Sequence, residues 1–206
     1  MISVSINGFG TIGKRVADAV SVQPDMSVVG VSKRSPNHEA RSAGANGYEL
    51  YAVEPDRIGD FEERNIPVAG PVGDMLARTD IVVDTTPSGV GETYRDRCAD
   101  HDVTVVYQGG EDASVAPQSF CARANYQRSV GEAATRVVSC NTTGLARAVT
   151  PLEEAYGVAP STRRSSVAAA TRPRRTGARL TTSFRTRSRS RHTTPLTCGL
   201  SCRIST

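Results

Sequence analysis

The stretch "ISVSINGFGTIGKRVADAV", residues 2–20, carries three patterns in a row. Valine and isoleucine with small residues in 2–7 are typical of a β-strand. A glycine-rich turn follows, and after it Val16, Ala19 and Val20 recur at the spacing of one face of a helix. A strand, a glycine turn and a helix in this order predict the first unit of an α/β fold.

The turn itself is a GxGxxG motif placed between a strand and a helix, the context in which that motif is informative. Gly8 would allow a tight turn, Gly10 the approach of a pyrophosphate, and Gly13 close packing of helix on strand. The amides around Thr11 and Ile12 would then point at a phosphate. We expect a dinucleotide site here. A glycine turn without any ligand is the simpler alternative.

Further short apolar runs alternate with helical patterns such as 91–101, which predicts βαβ units and a parallel sheet. The predicted strands cover residues 27–32, 66–70, 80–86, 103–110 and 135–140. The fold class expected is therefore α/β, a Rossmann-type doubly wound parallel sheet, whose ligand binds at the carboxyl ends of the strands.

The second predicted strand ends in Ser32-Lys33-Arg34 and lacks the acid that usually binds a ribose 2′-hydroxyl. Two cations at this point could instead pair with a 2′-phosphate. The residues favour NADP, or the use of both NAD and NADP. Solvated surface cations are the alternative.

A second candidate site is "SCNTTG", residues 139–144, between an apolar strand and a helical pattern that Pro151 would limit or kink. A helix N-terminus favours the thiolate of Cys140, which is the nucleophilic form. Asn141 and the following threonines add donors for an oxyanion or phosphate. The alternative is a buried structural cysteine, which is how we interpret Cys98 and Cys121.

Charge divides the chain sharply. Residues 1–158 hold all 21 acidic residues and 14 basic ones, whereas 159–206 hold 11 arginines and no acid. The second segment has few large apolar residues and no periodicity, so we expect a disordered tail.

The chain shows no membrane-length apolar run and no signal pattern, and we expect it in the cytoplasm. We expect no metal site, because the Cys198–Cys202 spacing lacks a second ligand pair.

Residues 2–158 resemble the archaeal-type phosphorylating glyceraldehyde-3-phosphate dehydrogenases. The resemblance is carried by "INGFGTIGKRVADAV", "GVSKRSP", "DIVVDTTPSGVG", "YQGGE", "ANY" and above all "VVSCNTTGL". It implies that Cys140 attacks the aldehyde of glyceraldehyde 3-phosphate, that hydride passes to NAD or NADP, and that phosphate cleaves the thioester to 1,3-bisphosphoglycerate.

The same resemblance implies roles for other residues. Ser139 and Asn141 would flank the substrate, and Lys33 would meet the 2′-phosphate. Contacts to the dinucleotide would come from Thr11, Ile12 and Gly110.

The resemblance also implies a domain division and shows a departure. Residues 1–139 would form the NAD(P)-binding domain and 140–158 the first helix of the catalytic domain. In the family a longer catalytic domain follows, with the general-base histidine and most contacts of a homotetramer. Here 159–206 stand in its place, so we expect negligible turnover and no assured tetramer.

A shift of reading frame after Val158 would explain the tail. With permitted codons, "RTRSRSRHTT" at 185–194, read one nucleotide earlier, gives Pro-Asp-Pro-Val-Glu-Val-Pro-Ser-His-His, which resembles a family segment. Family-like readings continue through much of 159–206. The alternative is a nucleotide-binding domain with an arginine-rich nucleic-acid arm. We do not expect nucleic-acid binding, because Phe184 is the single aromatic residue there for stacking on bases.

The frame-shift hypothesis predicts one extra base directly after the codon of Val158. Resequencing the gene across codons 150–170 measures this. An unchanged sequence would contradict the hypothesis. The arginine-rich segment would then have to be tested as a functional part of the protein.

Overall fold

The described part of this computed structural model, residues 1–157, is built on one eight-stranded sheet whose neighbouring strands all pair in parallel. The order across the sheet is β4-β3-β2-β1-β5-β6-β8-β7. The strands are β1 (Ile2–Asn7), β2 (Met26–Lys33), β3 (Leu50–Ala52), β4 (Gly70–Pro71), β5 (Ile81–Asp84), β6 (Thr104–Tyr107), β7 (Gln118–Phe120) and β8 (Ala134–Val137).

In the described range, 1–157, seven α-helices connect the strands or follow them. They are α1 (Thr11–Ser21), α2 (His38–Ala45), α3 (Ile58–Glu62), α4 (Val72–Leu76), α5 (Arg95–Asp100), α6 (Ala122–Ser129) and α7 (Cys140–Tyr156). Short 3₁₀ turns cover Pro55–Arg57, Gly91–Tyr94 and Ala113–Val115.

The chain winds in two directions from β1. It first adds β2, β3 and β4 on one side, and then returns to place β5 and the later strands on the other. The strand order therefore reverses between β1 and β5, and open α/β sheets bind their ligands at such a point. This arrangement confirms the predicted Rossmann-type doubly wound parallel sheet.

Both faces of the sheet are covered. Val4 and Ile6 of β1 pack in one apolar cluster with Ala17 of α1 and Ala40 of α2. On the opposite face, residues of β5 and β6 pack with α4 and α5 in a second cluster. That cluster includes Val72, Met75, Leu76, Val82, Cys98 and Val105. Strands buried on both sides explain why they appear in the sequence as apolar runs.

Several predicted boundaries are wrong. The strand expected at 66–70 is reduced to Gly70–Pro71, because pairing to β3 begins only there. The three-residue strands β3 and β7 were not predicted, since they are too short to show a period. By contrast, the helix expected within 140–158 is observed at Cys140–Tyr156, and Pro151 lies inside it without ending it. A proline removes its own hydrogen bond to the preceding turn, and here the helix persists through that loss.

The expected disorder of residues 159–206, and the proposed arm, lie outside the described residues. Within residues 1–157, no helix is long and apolar enough to cross a membrane.

A glycine permits one irregular point in the pairing of β1 with β2. The register shifts between Val4 and Ser5, whose partners are Val28 and Gly30. The Tyr51 ring lies against Gly30, and a Cβ there would come within 2.5 Å of the ring. Because the Tyr51 hydroxyl is bonded at 2.7 Å to both Glu49 and Arg78, the ring cannot easily move aside.

We therefore expect Gly30→Ala to lower the free energy of unfolding by about 1–3 kcal/mol through overpacking. Urea denaturation of the full chain measures the change. Gly44→Ala is the matched control, because Gly44 lies in α2 with open space around it. This variant should raise the free energy of unfolding by about 0.5–1 kcal/mol, since alanine favours a helix more than glycine does. Equal stability of the two variants would contradict the steric explanation.

Candidate functional site

Three turns meet at the carboxyl edge of the sheet, after β1, β5 and β6, and glycines let them approach. Gly8 has a φ of +93°, and a Cβ there would lie 3.1 Å from the amide nitrogen of Thr86. A Cβ on Gly13 would lie 2.1 Å from the Gly8 carbonyl oxygen, and one on Gly109 would lie 1.9 Å from that of Thr86. No larger residue fits Gly13 or Gly109 without moving the backbone.

Gly10 differs from these glycines. It precedes α1 with an extended backbone, and apart from its neighbours in the chain no atom lies within 4 Å of the position a Cβ would take. The first turn of α1 has no side-chain cap and no acidic residue, and Thr11 and Ile12 are exposed. The free amides of this turn and the space beside Gly10 suit a phosphate group.

A buried chain of hydrogen bonds lies beneath the turn. Ser32 donates to the Asn7 side-chain oxygen at 2.5 Å, and the Asn7 amide donates to Asp84 at 2.6 Å. Asp84 also accepts bonds from the backbone amide and hydroxyl of Thr86. The Ser32 hydroxyl in turn accepts the amide of Gly8 at 3.3 Å. The bonds thus connect the ends of β2, β1 and β5.

Two buried carboxylates hold the loop after β5. Burial raises the pKa of Asp84, an effect that its hydrogen bonds to Thr86 and Asn7 oppose. Glu111, 3 % exposed, accepts the amides of Gly89 at 2.6 Å and Gly91 at 2.8 Å. The loop is therefore fixed by acceptors from two separate strand ends.

The two cations predicted at the end of β2, Lys33 and Arg34, have different surroundings. Lys33 donates to Glu39 of α2 at 2.5 Å, whereas Arg34 is exposed and has no salt-bridge partner within residues 1–157. Sequence reasoning missed Glu39. Its only signal was an acid two residues after Asn37, a residue type that often begins a helix.

Cys140 is the first residue of α7 and is exposed. Ser139 caps the helix by accepting the amide of Thr142 at 3.2 Å, and Asn141 is exposed beside it. The other two cysteines of the described part, Cys98 and Cys121, are buried. Burial raises the pKa of Cys98 to about 11.

The predicted residues lie along one edge of the sheet and do not form a single cluster. The ends of β2 and β8, which carry Lys33 and Cys140, are four strand spacings apart, about 19 Å. The glycine turn lies between them, and Gly110, exposed with a φ of +85°, follows β6. This edge could hold an elongated ligand with a nucleophile towards one end.

The fold and the glycine turn define a nucleotide-binding domain of the Rossmann class. Residues 2–109 match the family described as dihydrodipicolinate reductase, N-terminus. The chain is 58% identical over 158 residues to the glyceraldehyde-3-phosphate dehydrogenase of Halobacterium salinarum, covering 77% of this chain and 47% of that protein. The enzyme of that name from Haloarcula marismortui is 58% identical over 161 residues, covering 78% and 45%.

The chain therefore belongs to the matched family through its nucleotide-binding domain, and over about three quarters of its length it is similar to archaeal glyceraldehyde-3-phosphate dehydrogenases. It spans about half the length of these relatives. Among solved structures, aspartate semialdehyde dehydrogenase with NADP from Candida albicans matches with a TM-score of 0.49 and 12% identity, over 77% of this chain and 48% of that one.

The burial of the thiols predicts an order of reactivity. In the folded full chain, iodoacetamide should alkylate the exposed Cys140 well before the buried Cys98 and Cys121. Mass spectrometry of the tryptic peptides over time measures the three rates. Similar rates for Cys140 and Cys98 would contradict the placement of Cys140, and alkylation in urea, where all three should react alike, is the control.

Proposed function

We propose that this chain binds NAD or NADP across the carboxyl edge of its sheet. The observation that carries the proposal is the combination at the glycine turn of an open space beside Gly10 and an uncapped α1. Gly8 and Gly13 bring the turn close to the sheet, and the amides of Thr11 and Ile12 would hold the pyrophosphate. Gly110 would contact the dinucleotide after β6.

At the ribose end, we propose that Lys33 and Arg34 contact a 2′-phosphate when NADP is bound. Arg34 is the freer cation of the two, because Lys33 already donates to Glu39. A guanidinium can bind a phosphate with two parallel hydrogen bonds, which an ammonium cannot do.

For a chain of the relatives' full length, we propose the NAD(P)-dependent, phosphorylating oxidation of glyceraldehyde 3-phosphate. The Cys140 thiolate would add to the aldehyde carbon, forming a hemithioacetal, and Ser139 and Asn141 would flank the substrate. When bound, NAD or NADP supplies the acceptor for the hydride. The acyl group left on Cys140 would be a thioester, which an oxygen of inorganic phosphate attacks, so that the thiolate leaves.

Two features of this chain support the nucleophile. Cys140 is exposed at the start of a 17-residue helix, where a substrate can reach its thiol. The hydroxyl of Ser139 already satisfies the amide of Thr142, so it holds the first turn of the helix in place. The part of the chain that matches these relatives covers about half of their length. A homotetramer, as the family implies, and a cytoplasmic location stay predictions.

The cofactor proposal is tested by Gly10→Ala. The backbone at Gly10 is extended and the position is open, so alanine should leave stability within about 0.5 kcal/mol. Its methyl group would occupy the approach of the pyrophosphate, and we expect the affinity for NAD and NADP to fall about tenfold or more.

Isothermal titration of the full chain with each dinucleotide measures this loss. Gly44→Ala in α2 is the control and should bind as the unmodified chain does. Unchanged affinity in Gly10→Ala, with binding intact in the unmodified chain, would contradict the placement of the pyrophosphate.

A further inference from the structure

The shortest ion pair within residues 1–157 joins two different elements near the proposed cofactor site. Lys33, at the end of β2, has a side chain that is 13% exposed, and it meets Glu39 in the first turn of α2 at 2.5 Å. Asn37, which caps α2, donates to the same oxygen of Glu39 at 3.3 Å. The Glu39 carboxylate is therefore held in one place at the carboxyl edge of the sheet.

Two hydrogen bonds join the end of β2 to the glycine turn: the amide of Phe9 donates to the Ser32 carbonyl at 3.2 Å, and that of Gly8 to the Ser32 hydroxyl at 3.3 Å. The hydrogen bond from Lys33 is the largest cause that lowers the pKa of Glu39, and the charge of Lys14 in α1 adds to it. The ammonium of Lys14 lies 5.8 Å from the centre of the Phe9 ring, in the glycine turn itself. Glu39, paired with Lys33 at the end of β2, thus lies beside the strand end that is bonded to the turn that would hold the pyrophosphate.

In a Rossmann domain the adenosine ribose lies in this interval, and an acid at the end of the second strand binds its 2′-hydroxyl. This chain has Lys33 and Arg34 in that position. Glu39 brings a carboxylate back to the same place from the next helix. The site therefore presents both an acceptor suited to a hydroxyl and cations suited to a phosphate.

We propose that Glu39 is a specificity-determining residue that sets the preference between NAD and NADP. Its carboxylate accepts a hydrogen bond from the 2′-hydroxyl of NAD. The same carboxylate repels the 2′-phosphate of NADP and keeps the Lys33 ammonium occupied. This inference rests on the cofactor binding proposed above, and it adds the residue that discriminates between the two dinucleotides.

The test is Glu39→Gln in the full chain, titrated calorimetrically with NAD and with NADP. Glutamine keeps the size and an acceptor but removes the negative charge. We expect the ratio of NADP to NAD affinity to rise about threefold to tenfold, the range for removing one partly screened charge near a phosphate. Most of the change should be a gain in NADP affinity.

Two further variants keep the test decisive. Lys33→Ala should lower NADP affinity, and in the double variant Glu39→Gln, Lys33→Ala the gain from Glu39→Gln should shrink, because part of it acts through Lys33. Glu49→Gln is the matched control. Glu49 also forms an ion pair, with Arg78 at 2.8 Å. It directly precedes β3, however, and so lies at the amino ends of the strands, away from the proposed site.

Thermal melts of each variant show whether it is folded, and if Glu39→Gln does not fold, Glu39→Ala and Glu39→Ser take its place. An unchanged affinity ratio in a folded Glu39 variant, with both dinucleotides bound, would overturn this inference and leave the proposed cofactor binding standing. An unmodified, folded chain that binds neither dinucleotide would overturn both proposals.

Discussion

The hydrogen bonds from Ser32 through Asn7 to Asp84 fix the relative positions of three strand ends, and the candidate site is built on them. Each partner lies on a different strand, so the bonds form only when β2, β1 and β5 pair in the observed register. All three side chains are at most 3 % exposed. An unpaired polar group at such a position would cost about 1–3 kcal/mol, so the bonds penalise a slip of any one strand.

Above these bonds, the close approach of the turns to one another depends on glycines, which have no side chain. A Cβ on Gly13 or on Gly109 would lie about 2 Å from a backbone carbonyl oxygen. Helix α1 and the turn after β6 therefore lie directly against those oxygens. Thr85 strengthens the contact by donating its hydroxyl to the carbonyls of Asn7 and Gly8. The same closeness that excludes a side chain at Gly13 holds the first turn of α1 against the end of β1.

The sequence predicts those parts of the molecule that depend on neighbouring residues along the chain. The glycine turn and the start of α7 at Cys140 could be found in this way, because the strand, the turn and the helix follow one another directly. The strands β3 and β7 could not, since three residues show no period. Asn7 and Asp84 did leave a signal, as polar residues that end apolar strands, but only the strand order shows that they are neighbours.

Glu39 shows most clearly why the rest of the site could not be predicted. By sequence it is an acid in the first turn of a short helix, where it also interacts favourably with the helix dipole, and nothing nearby distinguishes it from a solvated charge. Its position depends on how α2 packs through Ala40 and Ala43 against the sheet. Packing therefore converts an ordinary helix-start residue into a neighbour of Lys33.

The two ends of the candidate site differ in how complete they are. At the ribose end Lys33 is already paired with Glu39, whereas Arg34 is exposed and has no salt-bridge partner within residues 1–157. At the other end Cys140 is exposed, and α7 leaves Leu152 at 51% and Tyr156 at 81% exposure. Large apolar side chains grouped on one helix are typical of a surface that another part of a protein covers. We propose that a further domain supplies this cover in a chain of the relatives' full length.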